Sequence, residues 1–172
     1  MEVKKAIRDR RSIRAYTSRS VPGELVEELV ELANMAPSAG NLQAREFIIV
    51  RDEDKRRKLA SAALGQDFIS EASVCIVVCV NYDRIAHYGE RGRELYVFHD
   101  TGAAIQNILL AAHDMGLGTV WVGAFKETPV RKLLHLPKHV RPVAIIPVGY
   151  PAEQPRMRPH RDLADILHNE SW

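Results

Sequence analysis

The sequence is short of several things at once. Its 172 residues hold two cysteines, two tryptophans and an aromatic share of 6%, and 24 basic against 22 acidic side chains leave a formal net charge of +2. Charge that nearly cancels excludes the dominant basic face by which nucleic-acid proteins hold a phosphate backbone. No apolar stretch approaches the roughly 20 residues of a membrane span. The opening MEVKKAIRDRR has no apolar run behind its charges, so neither a secretory leader nor a membrane partner is expected. Both cysteines, Cys75 and Cys79, lie in SVCIVVCV. On a strand, residues four apart share a face but stand roughly 13 Å apart, too far for a disulfide with each other. They read as small core side chains in a reducing cytoplasm.

Dedicated catalytic machinery is missing as well. GLGT at Gly116–Thr119 follows a helix and opens a strand, the reverse of the dinucleotide fingerprint, and lacks its third glycine. No phosphate-loop lysine motif and no Gly-x-Ser-x-Gly elbow occurs. His135 and His139 are four apart, but Pro137 breaks the helix that would align them on a metal. His99-Asp100 could serve acid–base work or simply structure. With no nucleophile, metal or dedicated base in view, a cofactor would carry the hard chemistry.

The order of elements is readable. A first helix covers Glu2 to Asp9. A second starts near Pro22 and runs through ELVEELVELANMA, with Leu25, Leu29 and Leu32 at helical spacing, until Pro37. REFIIV is a strand, DEDKRRKLASAAL a helix with its acids first, and SVCIVVCV a strand buried on both faces. NYDRIAHYGERGR reads as a polar loop, and a long helix follows from Glu94 to Met115, closed by Gly116. TVWVGAF is a strand. ETPVRKLLHL is a helix with Thr128 as cap and Pro129 in first position. VRPVAIIPVGY is a strand whose two prolines predict an edge or an irregularity. LADILHNESW forms a last turn or helix. About four strands and five helices place the chain in the α+β or α/β class as one domain over 1–172. The long helix is apolar around nearly its whole circumference, which predicts that part of it packs against a second subunit.

Three clusters carry chemistry. In RRSIRAY, Arg10, Arg11, Ser12 and Arg14 can hold phosphate oxygens; equally, arginines at a helix C-terminus are favourable without any ligand. The tail PRMRPHR brings Arg156, Arg158, His160 and Arg161. PSAGNLQ at Pro37–Gln43 offers small residues, which let a flat ligand approach the backbone, and amides, which can read an edge of alternating donors and acceptors. Two basic clusters closing on one phosphate, with an amide loop for a heterocycle, would suit a mononucleotide cofactor such as flavin mononucleotide.

RRSIRAY, APSAGNLQAREFIIV, DTGAAIQNILLAAHDMGLGTVWVGAF and IIPVGYPAEQPRMRP together, in this order and spacing, resemble the nitroreductase family of flavin-dependent oxidoreductases over almost the whole chain. The resemblance implies an α+β sandwich with a central mixed sheet flanked by helices, and a homodimer with two FMN sites at its interface. Arg10, Arg11 and Ser12 match the family's phosphate side and Arg14 the basic residue at the flavin N1/O2 edge. Pro37, Ser38, Ala39 and Asn41 match a loop lent by the other subunit. Gln66 matches an amide at the pyrimidine edge, Val122, Gly123 and Ala124 the backbone near N5 and O4, and Arg158 and Arg161 second phosphate contacts. It implies hydride transfer from NADH or NADPH and delivery of electrons to nitro compounds, quinones or similar acceptors in a ping-pong scheme, with Arg14 as the residue that holds charge at the ring. The segment 81–94 would cover the flavin as a lid, or be an ordinary surface loop. Flavin storage without catalysis, flavin reduction and reductive dehalogenation are the alternatives.

Overall fold

In the computed structural model of the chain, which describes residues 2–172, four strands form one sheet in the order β1-β2-β4-β3. They are β1 (Arg45–Val50), β2 (Val74–Asn81), β3 (Gly118–Thr119) and β4 (Val140–Gly149). Strand β2 is buried at every position, as its unbroken apolar run predicts. Alternation divides its side chains between two layers. Val74, Ile76 and Val78 pack with α2 (Gly23–Asn34) and α6 (Val97–Asp114). Cys75, Val77 and Cys79 pack with α3 (Glu53–Ala62), α4 (Phe68–Glu71) and α7 (Glu127–Leu133). Helices therefore cover both faces of the sheet, the α+β sandwich expected. Both cysteines are free, and burial pushes their thiols up to about 12. Among the described residues no helix is long and apolar enough to cross a membrane.

All three ladders are antiparallel. Among the described residues the parallel component of a mixed sheet is the single bridge Ser12–Thr119. The prolines of β4 do not make it an edge strand, because it lies between β2 and β3. The irregularity is present instead. The register with β2 shifts between Val78, opposite Ala144, and Cys79, opposite Pro142, which leaves Val143 as the extra residue of a bulge. Pro147 acts on the other side. Val122 exchanges both backbone bonds with Ile145, and Gly118 and Thr119 pair with Gly149 and Val148 in the same register. That register sets Val120 opposite Pro147, which has no N–H to give. The predicted strand TVWVGAF is thereby cut to Gly118–Thr119 and one isolated bridge at Val122.

Two other expectations shift. Helix α7 begins at Glu127, with no side-chain cap from Thr128. Pro129 fits there because the first-turn N–H groups have no intrahelical acceptor in any case. The segment read as a polar loop is helical from Gly89: a turn at Ala86–Tyr88, then α5 (Gly89–Arg91), then a π-helical turn at Gly92–Tyr96 leading into α6. A Cβ on Gly92 would stand 2.7 Å from Tyr88 Cβ and 2.9 Å from the Ile85 carbonyl oxygen, so this tight entry needs glycine. Of the turn or helix expected in LADILHNESW, the structure has the turn, Leu163–Asp165. The stop of α6 is as expected, with Gly116 at φ 73° and the Leu117 N–H reaching back to the Ala112 oxygen.

Candidate functional site

RRSIRAY follows α1 (Val3–Asp9) as an extended segment lashed across the ends of β3 and β4. The Ile13 N–H donates to Thr119 O at 2.9 Å, the Thr17 N–H to Tyr150 O at 2.9 Å, and the Ala152 N–H to Ala15 O at 2.9 Å. Glycine makes the seating possible. Gly118 and Gly149 face each other in register. A Cβ on Gly118 would come within 2.8 Å of Ile13 Cγ2, and one on Gly149 within 2.8 Å of Tyr16 Cδ1. With Ile13 buried against the sheet, Arg14 is left exposed, as alternation along an extended chain requires.

The arginines then diverge. Arg11 turns its Nη1 onto the carbonyl oxygens of Arg8 at 2.7 Å and Arg10 at 2.9 Å, closing the end of its own helix. Arg10 is half-buried, and burial together with the neighbouring Arg11 charge pulls it below its ordinary pKa. Arg10, Arg11, Ser12 and Arg14 line a cavity of about 480 Å³ with Glu153, Arg156, Arg158 and His160 from the tail. The two basic clusters, some 140 residues apart in sequence, do converge. Arg161 is exposed and lies outside that lining. Glu153, which sequence reasoning passed over, sits in the same cavity and accepts the Arg14 backbone N–H.

A strip of contacts leads away from Arg14. Its guanidinium carbon lies 5.9 Å from the centroid of the Phe68 ring. Two residues earlier, Gln66 donates from Nε2 to Ala63 O at 2.8 Å and Ala124 O at 3.2 Å. Gln66 is thus joined to the Val122–Ala124 segment, where Val122 is buried and Gly123 and Ala124 are exposed. Arg14, Phe68, Gln66 and Ala124 thus form one run of contacts.

The loop at Pro37–Gln43 stands elsewhere. Pro37, Ser38, Ala39 and Asn41 do not line the arginine cavity. The loop holds three residues in the left-handed region, Gly40 and Asn41 at φ 55° and Gln43 at φ 49°. Such conformations persist where the surroundings over-determine them. Ser38 Oγ accepts the Gln43 N–H at 3.0 Å, and Asp100 Oδ1 accepts the Ala39 N–H at 3.0 Å. Arg45, only 3% exposed, donates to the carbonyl oxygens of Asn34 at 2.8 Å and Ala36 at 2.7 Å and to that of Pro37. It thereby closes the end of α2 and fixes the start of the loop. Asp100 is structural and buried while His99 is exposed, so the two do not form an acid–base pair. Arg45, Phe68 and Thr119 were not legible as site supports, because nothing local in REFIIV, DFIS or GLGT distinguishes them. Among the described residues no group of three or more His, Cys, Asp or Glu side chains could hold a metal ion.

The donor set suits FMN. A cavity with arginines from both ends of the chain and a serine hydroxyl has the chemistry for a terminal phosphate. Arg14, Gln66 and an exposed glycine backbone have it for the polar edge of a flat ring.

Comparison with known proteins gives the family. The nitroreductase family model matches residues 7–66 and 61–150. The chain is 38% identical to a protein of Methanothermobacter thermautotrophicus with a provisional NADH dehydrogenase/NAD(P)H nitroreductase name, over 100% of this chain and 88% of that one. It is 32% identical to an FMN reductase [NAD(P)H] of Bacillus subtilis, over 99% of this chain and 74% of the relative. Among solved structures it is similar to the NADPH:FMN oxidoreductase of Vibrio harveyi complexed with NAD⁺, with a TM-score of 0.91 and 28% identity, over 98% of this chain and 77% of that one. RRSIRAY, the amide loop and the glycine-bearing strand end all fall within the matched span, and the chain belongs to the nitroreductase family.

Proposed function

We propose that the chain, residues 1–172 acting as one flavin-binding domain, is an FMN-dependent oxidoreductase that takes electrons from NADH or NADPH and passes them to nitro compounds, quinones or related small acceptors. The observation that carries this is the convergence of Arg10, Ser12, Arg14 and Arg158 on one cavity, from which Phe68 and Gln66 lead to the exposed backbone at Gly123. When bound, the cofactor supplies a ring that receives a hydride and releases two electrons. The protein supplies position and charge. Arg10 and Ser12 hold the phosphate, with Arg158 closing from the tail and Arg11 completing the helix end behind them. Arg14 places positive charge beside the N1/O2 edge, where it stabilises negative charge that develops on the ring. Gln66 reads the pyrimidine edge, and the exposed Gly123 and Ala124 present backbone to N5 and O4, where glycine permits close approach, while Val122, its N–H and C=O both taken by Ile145, ties that strip to β4. No general base is needed. Arg161, outside the cavity, is dropped from the phosphate contacts in this reading.

The site is completed by a second copy of the chain. Pro37, Ser38, Ala39 and Asn41 are held rigidly away from the arginine cavity, which supports their service to the partner's flavin in a homodimer. Two free, buried cysteines fit a reducing cytoplasm. The phosphate assignment is tested by flavin titration of the double variant Arg10→Ala, Arg158→Ala. Each lost charge-assisted contact removes about 1.5–3 kcal/mol, so purified protein should be largely colourless. Retention of wild-type flavin stoichiometry would show the assignment to be wrong.

A further inference from the structure

Trp121 is left over by the reading above. It lies between two buried valines, Val120 and Val122, and is itself 42% exposed. Alternation along this extended stretch turns its indole away from the layer those valines occupy. The indole has a defined seat. Its Nε1 lies 3.9 Å from where a Cβ on Gly123 would stand, and its far edge, Cη2, lies 3.7 Å from the same position on Gly102 of α6. It spans from beside Gly123 to beside the long helix, so placed that a methyl group on either glycine would touch it. A half-exposed tryptophan lodged beside bare backbone is a large apolar surface without an occupant on one face.

We propose that Trp121 is a wall of the flavin site, an indole in van der Waals contact with the isoalloxazine ring where the ring meets Gly123. The proposal rests on the reading of Val122–Ala124 as the backbone strip along the flavin. It assigns a role to a side chain that the phosphate and edge contacts do not include. An electron-rich indole against an electron-poor ring favours offset stacking or edge contact, and the fixed seat spares the entropy of ordering it on binding.

Flavin emission gives a readout independent of turnover. An indole in contact with a flavin extinguishes its fluorescence by electron transfer over a very short range, and phenylalanine cannot donate in this way. The chain has two tryptophans, and the other, Trp172, is fully exposed near the C-terminus, so Trp172→Phe is the control. The fluorescence lifetime of FMN bound to the full-length protein should be short in wild type and in W172F, and several-fold longer in W121F at equal flavin stoichiometry. Trp121→Leu serves the same purpose should the phenylalanine variant misfold. Flavin bound in full with an unchanged lifetime in the Trp121 variants overturns the proposal and makes Trp121 a subunit-contact residue alone. A wild-type protein that binds no FMN overturns the functional reading itself, a separate result.

Discussion

Arg10, Arg11 and Arg14 stand within five residues, yet each has different surroundings. Sequence alone leaves this cluster divided between a ligand site and a helix terminus. The structure divides it by residue: Arg11 closes α1 while also lining the cavity, and Arg10 and Arg14 line it without that tie to the helix end. What was legible was the residue type and the approximate place. What was not legible depends on partners distant in sequence, such as Glu153 on the Arg14 backbone or the four carbonyl groups, of Asn34, Ala36, Pro37 and Asp100, that hold Arg45. The charge of Arg14 is the testable part. A hydrogen bond to a charged group is worth about 1.5–3 kcal/mol, and about 1.4 kcal/mol corresponds to 30 mV for a two-electron couple. Arg14→Ala should therefore lower the potential of the bound flavin by about 30–60 mV and slow its reduction. A spectroelectrochemical titration that returns the wild-type potential would remove this arginine from the ring.

At the scale of elements, signals contained within one segment survived, and those that depend on a second segment did not. The run SVCIVVCV and the helical spacing of ELVEELVELANMA appear as β2 and α2 because burial periodicity is a local property. TVWVGAF fails as a strand because Pro147, on a different element, withholds the N–H opposite Val120. The two glycines that admit RRSIRAY, Gly118 in GLGT and Gly149 in the strand VRPVAIIPVGY, likewise gave no sign of that role, since Ile13 and Tyr16 meet them through the fold. Gly118→Ala sets a methyl group 2.8 Å from Ile13 Cγ2. Such overpacking costs about 1–3 kcal/mol, and a chain of this size loses about 2–4 °C of melting temperature per kcal/mol. Lower thermal stability together with weaker FMN binding is expected, because the lash carries Ser12 and Arg14. A variant that melts and binds like wild type would mean that RRSIRAY is not seated on β3.

At the scale of the whole molecule, apolar surface remains uncovered. Helix α6 buries Ala104, Ile105, Ile108 and Ala112 against the sheet, but Ala103, Leu110 and Ala111 on its other side are only partly buried. Met35, Leu163, Ile166 and Leu167 are exposed as well, at 73%, 71%, 55% and 61%. The apolar circumference of this helix was the one whole-molecule feature visible in the sequence. Sedimentation at micromolar concentration should return twice the chain mass of 19.4 kDa, and a monomer would contradict the shared site. The account stands or falls on an anaerobic spectrum of the FMN-loaded protein with NADH or NADPH added. The expected result is prompt loss of the visible flavin absorbance, restored when a quinone or nitro compound follows. Flavin that stays oxidised with either nicotinamide would make the protein a flavin carrier and contradict the proposed reaction.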